Sequence, residues 1–281
     1  MKTISARGSK GSFAPELVFL GTSGTVQVPS FHCFCEVCEA ARINPRHRRT
    51  RASIALIGQE VVLVDAGPDL EFQLEREAIR QVDRIFITHW HFDHIGGLAA
   101  LGTPSKLAKW PRIEVYLPHQ VVYHFDQELA YMKNRLNLHP VKPGDRFELP
   151  DATWEVVKTA HTEHGVGFIV ESSQRFAYLG DGVMPPPETV ERLKGLDFVI
   201  LGATVDELFL REGERWADFS LQQALDCWKQ IGVEKCILTH LSCHSWKDDR
   251  LVAGLSSSER TEYEKRIPRL KFAYDGMRVV L

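Results

Sequence analysis

The sequence predicts an α/β protein made of two packed β-sheets covered by helices. Three features carry that expectation: short apolar strands alternate with amphipathic helical stretches, hairpins stand in both halves, and no Pro/Gly/Ser-rich hinge separates them. Residues 17–20 open the series and run into a Gly-Thr-Ser-Gly turn at 21–24. The apolar runs 54–57 and 61–64 flank Gly58-Gln59-Glu60 as a hairpin. Leu70, Leu74, Ala78 and Ile79 recur at helical spacing ahead of a strand at 84–88. Further strands follow at 113–117, 147–149, 154–158, 168–171 and 176–179. A helix opened by prolines at 185–187 carries Val190 and Leu193, and 198–201 is the next strand. Leu221, Ala224, Leu225 and Trp228 mark another helix, and strands at 234–239 and 277–281 close the series. The reading is one domain over 16–281, with a Cys-rich loop at 31–51 and a flexible tail at 1–15.

Composition narrows the class. The 34 Lys and Arg against 37 Asp and Glu leave a formal charge of -3, which argues against a bulk electrostatic nucleic-acid binder. No apolar run approaches the roughly 18 residues of a membrane span, so no membrane partner is expected. Lys2, Arg7 and Lys10 lie among Gly and Ser with no apolar stretch behind them, which favours a cytoplasmic protein. Six cysteines are too few for a disulfide scaffold, yet Cys33, Cys35 and Cys38 crowd into six positions and Cys243 sits beside His244. In a reducing compartment such clustering points to metal.

The central feature is Thr88-His89-Trp90-His91-Phe92-Asp93-His94, directly after the expected strand at 84–88. Residues two apart on an extended segment point the same way, so His89 and His91 converge on one ion. Asp93 and His94 then project from the start of a helix toward a neighbouring position. Two-metal hydrolysis needs this division, with adjacent ions about 3.5–4 Å apart. Shuffling this composition produces His-x-His-x-Asp-His on the order of once in a thousand chains. His161, Asp181 and His240 each follow an apolar strand, where a turn or cap role is the ordinary alternative.

These residues together resemble the metallo-β-lactamase superfamily, over about residues 16–281. The Asp-Ala-Gly-Pro-Asp run at 65–69, Ala-Tyr-Asp-Gly-Met at 273–277 and Gly21-Thr22-Ser23-Gly24 before the Cys-rich segment look most like the phosphoribosyl cyclic phosphate phosphodiesterases of bacterial phosphonate breakdown. The resemblance implies an αββα four-layer sandwich with metals at one edge. It implies one site of His89, His91 and His161, a second of Asp93, His94 and His240, and Asp181 bridging the two ions. It also implies a structural zinc on three cysteines and a His three residues after the last active-site His. Here that position is Cys243, so Cys33, Cys35, Cys38 and Cys243 form the expected structural Zn²⁺ site, with His244 the alternative to Cys243 and His32 and His47 behind it.

The His and carboxylate set suits Zn²⁺ or Mn²⁺ and admits iron. A hydroxide between two such ions is available at neutral pH and would attack phosphorus in line. Asp65, at a strand end, is a candidate to hold a ligand His, with a plain turn as the alternative. Asp93, Asp218 and His164 are the candidate catalytic side chains. Asp218 stands where relatives carry a His beside the substrate phosphate; an ionised aspartate repels phosphate, and an N-cap role for the helix at 221 is the other reading. Arg42, Arg46, His47, Arg48, Arg49 and Arg51 form a basic run whose default reading is a solvated loop, with an anionic-substrate or nucleic-acid contact as the alternative. Trp90 and Phe92 read as packing residues, and His119, His124 and His139 as members of a polar helical insert.

The expected function is a dinuclear metal-dependent hydrolase, a phosphodiesterase for a small or cyclic anionic phosphodiester. A tRNA 3′-end endonuclease and a thioester or lactone hydrolase of the same superfamily are the enzymatic alternatives, with nucleic acid the second choice of partner. A non-catalytic, metal-stabilised binding protein is the third reading. A homodimer is the assembly to test.

Overall fold

The computed structural model describes residues 14–204, 219–247 and 250–281, and within 244–253 the backbone alone. Asp218, the side chain of His244 and most of the expected tail lie outside the described residues. Two seven-stranded mixed sheets make up the interior. The first runs, edge to edge, Arg278–Val280, Glu16–Gly21, Ser53–Ile57, Val61–Val64, Arg84–Phe86, Ile113–Pro118 and Leu136–Val141. The second runs Leu270–Phe272, Lys235–Thr239, Phe198–Gly202, Arg175–Leu179, Val166–Glu171, Thr153–Lys158 and Arg146–Glu148. In both, a parallel half adjoins an antiparallel half.

Alternation along the strands sorts their side chains into three apolar layers. Leu17, Phe19, Ile54, Leu56, Val62, Val64 and Phe86 face Trp154, Val156, Phe168, Phe176, Tyr178 and Ile200 between the sheets. Val18, Leu63, Ile85 and Val115 turn the other way, beneath Leu70, Leu98, Leu101 and Phe125 of the helical segments. Val199, Leu201, Cys236 and Leu238 lie under Leu193 and under Ala224, Leu225 and Cys227 of the helix Leu221–Ile231. This is the αββα sandwich.

The aromatic side chain of Phe86 pins the two sheets together. It stacks on Trp154 at 4.6 Å and Tyr116 at 4.4 Å and meets Phe168 edge-on at 5.1 Å. Two residues further on the strand gives way to Thr88 and His89, so this packing sets where the motif leaves the sheet.

Several local expectations need correction. The basis for assigning His139 to a helical insert fails: Leu136–Val141 is an edge strand whose Pro140 and polar side chains mask its β character. Ala78 adopts a left-handed φ of 56° beyond the helix Leu70–Arg76, so the helical face ends earlier than its apolar spacing suggests. The helix Leu221–Ile231 is N-capped by Ser220 in a reciprocal box with Gln223, not by Asp218. Trp90 packs on the core beside Phe125, as expected, whereas Phe92 is 65% exposed.

Replacing Phe86 by Ala should destabilise the protein by about 3–5 kcal/mol, because a fully buried ring leaves a cavity in both sheets. Urea unfolding measures this; a loss under about 1 kcal/mol would mean the sheets do not depend on the stack.

Candidate metal centre

Every member of the polar cluster follows the C-terminal end of a strand. Asp65 follows Val61–Val64; the Thr88–His94 segment follows Arg84–Phe86; His161 follows Thr153–Lys158. Asp181 follows Arg175–Leu179, Thr204 follows Phe198–Gly202, and His240 follows Lys235–Thr239. His91 is still extended, while Asp93 and His94 sit in the short helix Phe92–Ile95, so the chain turns between the two pairs. The result is two groups of potential ligand atoms, each within 4.8 Å of one another: His89, His91, His161 and Asp181, and Asp93, His94, His240 and Asp181. Asp181 belongs to both. Its Oδ2 lies 3.8 Å from His89 Nε2, 3.6 Å from His161 Nε2 and 3.2 Å from His94 Nε2. His161 Nε2 is also 3.2 Å from His91 Nδ1.

Hydrogen bonding fixes which nitrogen of three imidazoles carries the proton. Thr88 Oγ1 donates to Asp65, so toward His89 it can accept only, and His89 Nδ1–H donates to it at 2.9 Å. His94 Nδ1–H donates to Asp65 Oδ2 at 2.7 Å. Thr204 Oγ1 donates to the His240 carbonyl at 3.0 Å and accepts from His240 Nδ1–H at 2.5 Å. In each ring Nε2 is the nitrogen left facing the carboxylates, free to bind a proton or a metal ion. The Nε2 atoms of His94 and His240 lie 3.4 and 3.5 Å from Asp93 Oδ2, and those of His89 and His94 face Asp181. A ring nitrogen opposite a carboxylate oxygen in a buried site needs a proton or a metal ion between them. Among the described residues, His89 Nε2 and His240 Nε2 are buried without a hydrogen-bond partner, while Asp181 Oδ1 lies 2.9 Å from His240 Nδ1. These donor atoms fit divalent ions.

The electrostatics point the same way. Burial would lower His94, but Asp65 and Asp181 outweigh it and hold it well above the usual histidine range. His240 is likewise raised to about 10 against its burial, chiefly by Asp181. His89 goes well below its ordinary value, through burial and then the charge of His94. Burial pushes Asp93 and Asp181 up, yet contacts with His240 and His94 together keep both well below the carboxylate range. The field thus favours positive charge at the point where the two groups meet. His91 and His161 stand on the open side, while Asp93, His94 and His240 are buried.

Sulfur forms a third group beside this one. Cys33, Cys35, Cys38 and Cys243 place their Sγ atoms within 4.8 Å of one another. Four sulfurs around one Zn²⁺ at about 2.3 Å are spaced by ~3.8 Å, so the donor set fits a tetrahedral ion. Ser30 N–H donates to Cys38 Sγ at 3.3 Å and Cys35 N–H to Cys33 Sγ at 3.5 Å, as thiolates require. Burial, then the neighbouring cysteines, push Cys35 up to about 11 and Cys243 higher still. Burial would raise Cys33 too, but hydrogen bonds with Cys35 and the neighbouring cysteines lower it. Four thiols packed this closely ionise together only if a cation takes up their charge. The same segment reaches the first cluster: Leu241 N–H donates to Thr22 O, and a Cβ on Gly24 would stand 3.3 Å from His240 Cε1. Cys227 and Cys236 are buried in the outer core of the second sheet.

Some expected participants are placed elsewhere. His164 is outside both groups, 37% exposed and 3.8 Å from Glu163. The basic run is not a uniformly solvated loop. Arg42 donates to the carbonyls of Ser30 and Cys33, Arg48 to that of Ala41, and Arg51 pairs with Asp69 at 3.0 Å. Arg49 is buried. Sequence reasoning missed Thr88 and Thr204, because a hydroxyl's role depends on which acceptor the fold offers it. Asp65 does hold a motif histidine, His94.

Comparison with known proteins agrees with this geometry. The pattern of the beta-lactamase superfamily domain matches residues 60–241. The octanoyltransferase of Porphyromonas gingivalis is 28% identical over 277 residues, covering 94% of this chain and 51% of that protein. The chain spans about half the length of the first curated relatives it matches. A diphosphatase from the PhnP family superposes with a TM-score of 0.76 at 25% identity, over 95% of this chain and 98% of that one. The short form of human tRNase Z shares the fold, with a TM-score of 0.65 at 20% identity over 94% and 98% of the two chains. Two helix-covered sheets, ligand groups gathered at their strand ends and a matching domain pattern place this chain in the beta-lactamase superfamily, with the metallo-β-lactamase fold.

Proposed function

We propose that this protein is a dinuclear metal-dependent hydrolase that cleaves a small phosphodiester. The observation that carries the reading is the set of buried imidazole Nε2 atoms aimed at Asp93 and Asp181. His89, His91 and His161 would hold one ion and Asp93, His94 and His240 the other, with Asp181 shared. Zn²⁺ or Mn²⁺ suits these donors, and iron is compatible with them. Two bound ions supply a nucleophilic water at neutral pH and neutralise charge developing on the phosphoryl oxygens. The chain's own part is orientation: Asp65 and Thr88 fix His94 and His89, and Thr204 fixes His240. The open side at His91 and His161 is where substrate would enter.

The likeness to a PhnP-family diphosphatase across nearly the whole chain supports a small phosphate-bearing substrate. Nucleic acid is less favoured, because Arg42, Arg48 and Arg51 are engaged by the protein's own acceptors. The four cysteines would hold a structural Zn²⁺, with Cys243 as the fourth ligand, tying the 33–38 loop to the segment after His240.

Hydrolysis of bis-p-nitrophenyl phosphate should be abolished by chelation and restored by Zn²⁺ or Mn²⁺, and His91→Ala should lower kcat/KM by ~100-fold or more. Undiminished turnover after either treatment would contradict the dinuclear reading. A substrate panel of cyclic ribose phosphates and precursor tRNA separates small phosphodiesters from nucleic acid. Cys35→Ala should lower Tm and remove about one zinc per chain while the other ions stay bound. Unchanged zinc content would refute the structural site.

A further inference from the structure

Arg49 is the anomaly of the basic run. Its side chain is 3% exposed, and among the described residues its Nε and NH2 make no hydrogen bond. Its backbone is held in place by Val28, which both accepts from the Arg49 N–H and donates to its carbonyl, at 2.8 Å each. Val28, directly opposite Arg49 and so on the same face, packs against Cys33, Cys38 and Cys243, and the charges that reach Arg49 are those of Asp275, Cys243, Cys38 and Cys35. Asp275 accepts from Thr22 Oγ1, Thr50 N–H, Thr50 Oγ1 and Arg76, the last as a 3.0 Å ion pair in a guanidinium that Glu77 shares. Arg49 is therefore a buried cation whose Nε and NH2 find no acceptor, held beside the cysteine cluster. A guanidinium cannot shed its charge at neutral pH, so the fold tolerates it only beside an unbalanced anion.

A divalent ion held by four thiolates is such an anion, since four negative charges against two leave a dianion. We propose that Arg49 is the built-in counter-charge of the Cys33–Cys35–Cys38–Cys243 centre, making a full four-thiolate metal complex stable in a buried place. The proposal rests on the reading that this cluster binds metal. It explains why a buried arginine stands unpaired and how a fourth cysteine is accommodated at Cys243. It also makes Arg49 a positioning residue for metal retention, distant in role from the His/Asp groups.

The test uses the full-length protein loaded with Co²⁺, whose sulfur-to-metal charge-transfer absorbance reports the cysteine centre alone. Loss of that band is followed after addition of excess EDTA. Arg49→Met should speed the loss on the order of 10–100-fold, while Arg49→Lys, which keeps the charge, should stay near the wild-type rate. In a Cys243→His background, with one thiolate fewer, the effect of Arg49→Met should shrink to a few-fold. Should Arg49→Met alone fail to fold, Arg49→Met/Cys243→His is expected to fold and hold Co²⁺; failure of the pair as well would overturn the proposal. So would a wild-type rate in folded Arg49→Met, or equal rates for the Lys and Met variants, which would leave Arg49 as a partner of Asp275 only. Absence of the band in the wild-type protein would instead refute metal binding by the cysteines, and this proposal with it.

Discussion

Three buried carboxylates, Asp65 and Asp181 just beyond strand ends and Asp93 in the short helix Phe92–Ile95, organise the molecule's chemistry. Asp65 accepts hydrogen bonds from His94 Nδ1–H and the Thr88 hydroxyl, which in turn commits His89 to the matching tautomer. One carboxylate thereby sets two rings so that their other nitrogens confront Asp181. Burial makes the arrangement costly unless positive charge sits at its centre, and the raised His94 and His240 show how strongly the site seeks it. The left-handed backbone at Asp65 and at His240 belongs to the same device, since both residues leave a strand and turn sharply into the cluster.

The scaffold serves that placement. Parallel strands deliver their C-terminal ends to one edge, and the aromatic packing around Phe86 keeps the two sheets in register where the motif begins. A second clamp works from the side. The turn at Thr22–Gly24 is joined to Thr50 and Leu241 by backbone hydrogen bonds and to Asp275 by the Thr22 hydroxyl. The cysteine loop meets the same segment through Cys243, so the sulfur centre and the His240 turn are parts of one continuous support.

Much of this was legible in the sequence. His-x-His-x-Asp-His reads directly because a two-residue period followed by a helix start has one spatial meaning, and strand-end positions marked His161, Asp181 and His240. The resemblance supplied the pairing of those residues into two groups, which spacing alone did not. What was hidden depended on three dimensions. Pro140 disguised an edge strand, and the partners of Thr88 and Thr204 come from distant turns. Arg49 read like the rest of its charged run because burial of one residue in such a run has no periodic signature. The cap at Ser220 was readable, since Ser220 and Gln223 stand at capping-box spacing, but Asp218 drew attention away from it.

The most direct test of the account is a count of bound metal ions per chain, by plasma mass spectrometry on untagged protein that has been metal-loaded and desalted. Two ions shared around Asp181 and one held by the cysteines predict about three per chain, falling to about one when the His/Asp centre is emptied by brief chelation. One ion per chain or fewer after loading would contradict the claim that the buried imidazoles and carboxylates form a two-ion centre.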